Sequence, residues 1–164
     1  MRFEPSMKIV HVLIGTFVFL FAGGIASLPA EPLPGYSRGY DPARDPFEDG
    51  KHAVSLATAT QRHILIEVGG DWCSWCLKLD RFLKANRDIE AGLHQTFVLL
   101  KVNVSEENDN AEFLSAFPRI LGYPHMFVAD SEGKVLHSQD PAEFLEQGEY
   151  SRTRFLRFLE TWSQ

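Results

Sequence analysis

The segment from His63 to Cys76 constrains the fold of this chain more than any other part of the sequence. It begins with a short, nearly continuous apolar run rich in branched residues, which is typical of a strand buried on both faces. Two glycines end this run, and a second cysteine follows Cys73 by three positions. Behind Cys73, apolar residues recur at helical spacing. We therefore predict a strand over 63–68, a tight turn, and a helix over 73–86.

The remaining patterns predict the other elements. Asp45 before Pro46 is typical of a helix start, and the run from Asp130 to Gly133 favours chain reversal. Ser151 is positioned to cap a last helix whose apolar residues lie on one face. In chain order we predict a helix over 45–60, a strand over 96–104, a helix over 108–117, a β-hairpin with strands over 125–129 and 134–137, and a helix over 151–162.

Helices that alternate with buried strands indicate a central sheet covered on both faces. The first two strands should be parallel, with the helix after Cys73 as the crossover. In open α/β sheets, ligands bind at the carboxyl ends of the strands. The turn after Val68 leads directly to Cys73, so the sequence places the cysteines at that edge.

The amino-terminal residues have the pattern of a secretory signal peptide. Two basic residues precede an apolar stretch, and small residues follow it. We expect residues 1–26 to be a signal peptide cleaved after Ala26, residues 27–44 to be a Pro/Gly-rich linker, and residues 45–164 to be one domain. An uncleaved membrane anchor is the alternative, although the apolar stretch is short for a span.

The charge of the chain excludes two classes of partner. The formal net charge is −6 at pH 7, so nucleic acid and anionic membrane surfaces are poor partners. In a protein exported to an oxidising compartment, two cysteines would ordinarily be interpreted as one structural disulfide. A loop this short gains little stability from closure, however, and half a zinc site lacks further ligands.

The spacing of the cysteine pair favours redox chemistry. A helix amino terminus carries partial positive charge and unpaired N–H groups, which stabilise a thiolate and lower the pKa of the first thiol. Cys73 would then attack a disulfide, and Cys76, one helical turn behind, would resolve the mixed disulfide.

These residues carry a family resemblance. The segment Ile64 to Cys76, with its strand, acidic position, Trp-Cys and second Cys, resembles the active site of the thioredoxin superfamily. The run Gly122-Tyr123-Pro124 before a strand resembles that family's cis-proline loop. The most similar group is the exported thioredoxin-like domains with Asp-Trp-Cys-x-x-Cys. The resemblance implies an α/β thioredoxin fold, with a central mixed sheet of about four strands flanked by helices on both faces.

The resemblance also implies roles for single residues. Glu67 would be the buried carboxylate that takes the proton of Cys76, unless it is simply a solvent-facing or paired strand residue. Pro124 would follow a cis bond, although most X-Pro bonds are trans. That bond would expose the Tyr123 backbone to a substrate chain that pairs with it as an added strand.

Four further positions surround the cysteines. Trp72 and Trp75 would form a flat apolar substrate surface, with simple packing as the alternative. Ser74 and Trp75 replace the Gly-Pro that is usual between the cysteines of thioredoxin, and His125 follows the proline where a small hydroxyl residue is common. A protonated His125 could stabilise the thiolate, although an ordinary loop histidine is equally compatible with the sequence.

We expect an enzyme, a thiol–disulfide oxidoreductase acting on exported protein or thiol substrates in the reducing direction. It would need no cofactor beyond the redox-active disulfide, would act in the periplasm as a monomer, and would require a membrane thiol-relay electron donor. One alternative is a copper-delivery module that uses Cys73, Cys76 and His125. Another is a redox-inactive scaffold that uses the acidic surface.

Overall fold

The computed structural model describes residues 32–163. The predicted signal peptide lies outside these described residues, as do the first positions of the predicted linker. Across residues 32–163, every helix is too short or too polar to cross a bilayer.

A four-stranded mixed sheet forms the centre of the domain. Its strands are β1 (His63–Gly69), β2 (Phe97–Asn103), β3 (His125–Ala129) and β4 (Val135–Gln139), in the order β2-β1-β3-β4. Strands β1 and β2 are parallel, whereas β3 is antiparallel to both β1 and β4. The predicted strands, the parallel pair and the hairpin are therefore confirmed.

Helices cover both faces of this sheet. The helices are α1 (Pro46–Thr60), α2 (Ser74–Ala85), α3 (Arg87–Thr96), α4 (Ala111–Leu114) and α5 (Arg152–Trp162). One core cluster joins the sheet to α1, and a second joins it to α2, α3 and α5. Asp45 caps α1 through its side chain, which accepts a hydrogen bond from the Phe47 N–H, and Pro46 is the first helical residue, as predicted. The expected fold is therefore confirmed.

The region after the cysteines contains one helix more than the sequence analysis predicted. Helix α2 ends at Ala85, where Asn86 leaves helical geometry and its side-chain amide donates to the Phe82 carbonyl oxygen at 2.7 Å. Helix α3 then begins at Arg87 and buries Ile89 and Leu93. Helix α3 was not predicted, although Ile89 and Leu93 stand four apart on one helical face.

The predicted helix over 108–117 was too long, because only Ala111–Leu114 are helical. Side chains hold the preceding residues in a turn instead. Asn108 Oδ1 accepts from the Asn110 N–H at 3.1 Å, and the Asn110 amide donates to the Asn103 carbonyl oxygen at 2.7 Å. Local Asn hydrogen bonds of this kind compete with helix formation.

Ser151 is the amino-terminal cap residue of α5, as predicted, but its side chain does not cap the helix. Its hydroxyl donates to Glu146 Oε2 at 3.0 Å and makes no capping hydrogen bond to α5. Glu146 belongs to a two-stranded ribbon, β5 (Leu145–Glu146) and β6 (Glu149–Tyr150), that precedes α5. The predicted apolar face of α5 is present, since Phe155, Phe158 and Leu159 are buried.

The segment that we expected to be a linker packs against the domain from residue 35 onward. It contains a short 3₁₀ turn, Gly35–Ser37, followed by Tyr40, and both Tyr36 and Tyr40 are buried. The Ser37 hydroxyl donates to the Leu99 carbonyl oxygen at 2.5 Å, which covers part of the free edge of β2. This segment brings Tyr40 to the carboxyl end of β1.

Candidate active site

The two cysteines form a disulfide where the β1 turn meets α2. Their Cα atoms are 5.2 Å apart, and Cys73 is the amino-terminal cap of the helix. The Cys76 N–H donates to the Cys73 sulfur at 3.1 Å. One of the free N–H groups of the helix start is therefore aimed at Cys73, which is the arrangement that stabilises negative charge on this sulfur.

The disulfide is more enclosed than the sequence suggested. Cys73 is only 4% exposed and Cys76 is fully buried, and the pair forms a small cluster with Tyr40 against which Tyr123 packs. Cys73 is thus at the rim of this cluster in the disulfide state, with Cys76 behind it.

Glu67 lies within β1 and is fully buried. Its Oε1 accepts a hydrogen bond from the Tyr40 hydroxyl and lies 3.4 Å from the Lys101 ammonium nitrogen. Its Oε2 has no hydrogen-bond partner among the described residues. Glu67 is therefore not solvent-facing, but it is paired through Oε1, which is the other half of the alternative to a catalytic role.

Lys101 joins Glu67 to a second carboxylate. Its ammonium group lies on β2, directly across the parallel register from Glu67, and contacts Asp80 Oδ1 at 2.5 Å. Burial acts to lower the pKa of Lys101, but the attraction of Glu67 and Asp80 outweighs it, and the pKa is raised overall. Lys101 therefore stays charged and balances the two carboxylates.

The sequence analysis did not identify Tyr40, Asp80 or Lys101 as parts of the site. A signal existed for Lys101, because it is the one charged residue inside the apolar run of β2 and it faces Glu67. Asp80 lies one helical turn after Cys76, on the same helix. Tyr40 had no local signal, because its contact with Glu67 joins positions 27 residues apart.

The Tyr123–Pro124 peptide bond is cis, as the resemblance implied. Pro124 is buried, whereas Tyr123 is partly exposed. The Tyr123 ring meets the Trp72 ring edge-on, with centroids 5.5 Å apart, and it also packs against the cysteine cluster. The loop before β3 and the turn before α2 therefore lie side by side.

Both tryptophans are exposed beside the disulfide. Trp72 is 59% exposed, and its indole N–H donates to the Val104 carbonyl oxygen at 2.5 Å. Trp75 is 40% exposed, with the Lys78 ammonium group 4.5 Å from its ring centre. Trp72 and Trp75 therefore both present apolar area to solvent, and the contacts of each ring fix its orientation.

His125 is in a different environment from the one that we expected. It is only 7% exposed, its Nε2 lies 2.9 Å from the Ser138 hydroxyl, and its ring packs against Phe127. Burial lowers its pKa, which the attraction of Asp140 only partly opposes. These contacts favour a neutral ring and give no support to a protonated His125 beside the thiolate.

A cleft of about 760 Å³ opens next to Trp72. Tyr40 and Trp72 lie on its walls together with three acidic side chains, Asp71, Glu106 and Glu107. Within residues 32–163, no group of three or more His, Cys, Asp or Glu side chains is arranged to hold a metal ion. In this disulfide form, Cys73, Cys76 and His125 therefore do not form a metal-binding group.

Comparison with known proteins places the chain in a family. The family described as "Thioredoxin-like" matches residues 46–131, which is more than half of the chain, so the chain belongs to that family. The disulfide bond reductase DsbH of Chlamydia pneumoniae is 31% identical over 97 residues, covering 52% of this chain and 57% of that protein. The thiol:disulfide interchange protein DsbD of Klebsiella pneumoniae is 24% identical over 97 residues, covering 59% of this chain and 16% of that protein.

Solved structures agree with this assignment. A disulphide isomerase from Xylella fastidiosa Temecula1 is 25% identical with a TM-score of 0.64, covering 80% of this chain and 98% of that one. The carboxyl-terminal domain of DsbD from Neisseria meningitidis shares the fold, with a TM-score of 0.56 at 13% identity over 72% of this chain and 96% of that one. The chain spans less than two thirds of the length of the curated relatives. The fold and the Cys73–Cys76 disulfide are thus similar to those of thiol–disulfide oxidoreductases of the thioredoxin type.

Proposed function

We propose that this chain reduces disulfides of exported protein or thiol substrates through Cys73 and Cys76. The observation that carries the proposal is the position of the pair, with Cys73 at a helix start and Cys76 buried in a cluster with Tyr40, whose hydroxyl donates to the buried Glu67. Redox-inactive structural pairs have no need of a buried carboxylate, since its desolvation costs free energy.

The proposed reaction has two steps. The Cys73 thiolate attacks one sulfur of the substrate disulfide, a new S–S bond forms, and the other substrate sulfur leaves as a thiolate. Cys76 then gives its proton to Glu67, and its sulfur attacks Cys73. The bond between Cys73 and the substrate breaks, so the substrate gains two electrons and the protein becomes the disulfide. The two exposed tryptophans and the Tyr123 backbone would hold the substrate chain.

The reducing direction is supported by the similarity to a disulfide bond reductase, while the similarity to an isomerase leaves a second candidate. The reduction potential separates a reductant from an oxidant. A value near the roughly −270 mV of thioredoxin would indicate a reductant, and one near about −120 mV an oxidant. Equilibration in glutathione buffers, followed by the fluorescence of Trp72 and Trp75 beside the disulfide, measures it directly.

Substrate turnover tests the proposal with a matched pair of variants. Wild type should reduce insulin at the expense of a small dithiol, and Cys73→Ser should fall to the rate of the dithiol alone. Cys76→Ser should retain the first attack and accumulate a mixed disulfide with substrate, visible by mass spectrometry. If Cys73→Ser, Cys76→Ser performs the protein's cellular role in full, the chain is a scaffold and the proposal is wrong.

We also propose that the domain acts as a monomer after export, with electrons supplied by a membrane thiol-relay protein. The amino-terminal pattern of basic, apolar and small residues supports export. Intact-mass analysis of exported chain should give a mature protein that begins at Ser27. Retention of residues 1–26 would indicate a membrane anchor instead.

A further inference from the structure

Tyr40 lies outside residues 46–131, the part of the chain that the family description matches, yet it is part of the cysteine site. It is only 5% exposed. Its ring lies under the Lys101 ammonium group, 4.6 Å from nitrogen to ring centre, and its hydroxyl donates to Glu67 Oε1. A residue from the segment before α1 thus makes two contacts with the buried charges behind the disulfide.

Gly69 shows how close Tyr40 is to Cys76. A Cβ atom at Gly69 would lie 2.6 Å from the Cys76 sulfur and 2.9 Å from the Tyr40 hydroxyl oxygen. Both atoms therefore occupy the space that a side chain would fill. Glu67 stands two positions earlier on β1, so its side chain is on the same face of the strand as that space. The sulfur, the hydroxyl and the carboxylate share one side of β1.

We propose that Tyr40 is a positioning residue for the resolving step, whose hydroxyl holds Oε1 of Glu67 so that Oε2 is left to accept the proton of Cys76. The inference deepens the proposed function and rests on it. In that step the Cys76 S–H proton moves to Oε2. The sulfur electron pair forms the bond to Cys73, and the substrate sulfur leaves as a thiolate.

The hydroxyl of Tyr40 is suited to this role because it remains a donor. Burial, followed by the negative charge of Glu67, raises the pKa of Tyr40 well above its usual value. Lys101, on β2, contacts the same Oε1 at 3.4 Å. Asp80 on α2 also acts on this cluster through its negative charge. Tyr150 on β6 is neutral near pH 7, because burial and then Glu67 raise its pKa.

Tyr40→Phe removes the hydroxyl and keeps the ring that lies under Lys101. The probe is an aromatic model disulfide, 5,5′-dithiobis(2-nitrobenzoate), whose released thiolate is coloured. Reduced protein releases one equivalent when Cys73 attacks and a second when Cys76 resolves, so stopped-flow absorbance separates the two steps. Recorded against pH, the second phase reports how readily the Cys76 proton is removed.

We expect Tyr40→Phe to slow the second phase about tenfold near neutral pH, since hydrogen bonds to charged groups are stronger than neutral ones. The pH profile of that phase should differ from that of wild type, because the carboxylate loses the hydrogen bond that Tyr40 donates to Oε1. The first phase should change little. In a Glu67→Gln background, Tyr40→Phe should have almost no further effect on the second phase.

Tyr36→Phe is the matched control. Tyr36 is a buried tyrosine of the same segment, but it belongs to the core cluster on the α1 side of the sheet. This variant should leave both phases and their pH profiles as in wild type.

Two results would overturn the inference while the proposed function stands. One is a second phase in Tyr40→Phe with the wild-type rate and pH profile. The other is an equal slowing of both phases at every pH, which would make Tyr40 a structural residue. If wild type itself gives no release that depends on Cys73, the proposed function fails.

Discussion

The side of β1 and β2 that faces α2, α3 and α5 changes character from one end to the other. In order along the two strands, the facing pairs on that side are His63 with Phe97, Leu65 with Leu99, Glu67 with Lys101 and Gly69 with Asn103. The amino end is aromatic and aliphatic, and the carboxyl end is charged. Alternation of side chains puts all of these residues on one face of a continuous sheet.

The two ends of the sheet contribute differently to the stability of the fold. At the amino end, Phe97 stacks on Phe158 with centroids 5.7 Å apart, and Phe155 is fully buried among further phenylalanines. Such packing stabilises the fold in proportion to the apolar area removed from water. At the carboxyl end, Glu67 and Lys101 are desolvated, and a buried ion pair is a weak source of stability. The comparison suggests that the aromatic end stabilises the fold and the charged end serves the disulfide.

Phe155→Ala should have the largest effect among the variants that test this comparison. We expect it to lower the free energy of unfolding by about 3–5 kcal/mol, because a buried phenyl ring is lost and a cavity remains. Leu156→Ala, its 37% exposed neighbour on α5, should change stability by about 0.5 kcal/mol or less. Urea unfolding measures both. The rates of disulfide exchange by the folded Phe155→Ala protein should equal those of wild type, and a large loss of rate would show that the two ends are coupled.

Glu67→Gln tests the charged end with the opposite expectation. The amide can still accept a hydrogen bond from Tyr40 but is a poor base, so resolution by Cys76 should slow by about 10²-fold. Stability should fall by less than in Phe155→Ala. Glu112→Gln, on the exposed surface of α4, is the matched charge control and should leave the exchange rate unchanged. If Glu67→Gln unfolds readily but Cys76 still resolves the mixed disulfide at the wild-type rate, the roles that we assign to the two ends are reversed.

The sequence predicted the aromatic end better than the charged end. Buried strands and the apolar face of α5 are local periodic patterns, so the elements that build that core were identified from the chain alone. The cysteine pair and Glu67 were also found, because a family resemblance covers them. Helix α3 was missed because the chain turns at Asn86 without a proline or glycine to mark the break.

The rest of the charged cluster depends on contacts between distant positions. Tyr40 reaches Glu67 only after the segment before α1 has packed along the edge of β2, and no spacing within the sequence encodes that path. Identifying Lys101 as part of the site required the register of the two parallel strands, which places Glu67 opposite Lys101. The prolines and glycines around Tyr40 suggested a linker. They indicate the conformation of the backbone, but they do not show where a side chain packs.

Gly69→Ala adds one methyl group at the charged end and tests how tightly that end is packed. The new Cβ would lie 2.6 Å from the Cys76 sulfur, so the neighbouring groups must move. Overpacking of this kind costs about 1–3 kcal/mol. We expect a loss within that range in the disulfide form by thermal unfolding. Gly122→Ala is the control, since its Cβ would meet nothing within 4 Å, and equal losses in both variants would contradict the tight packing at Gly69.

The smallest expected effect is a pH dependence of stability that compares one histidine with another. Burial lowers the pKa of His94, on α3, against the attraction of Glu90, and it lowers the pKa of His125, on β3, against that of Asp140. The unfolded chain therefore binds more protons than the native one once the pH falls below the ordinary histidine value of 6.5. The free energy of unfolding should be constant with respect to these groups above that pH and should decline below it.

Urea unfolding of His94→Gln and His125→Gln at pH 7.5 and 5.5 measures how much of that decline each histidine causes. Each variant should lose less stability than wild type on acidification, while His52→Gln, on the exposed surface of α1, should follow wild type. A larger share for His125 would mean that the β3 position beside the cis-proline loop excludes charge more strongly than the helical position of His94. If neither variant reduces the decline, burial at these two positions does not control protonation, and the acid sensitivity must come from the carboxylates.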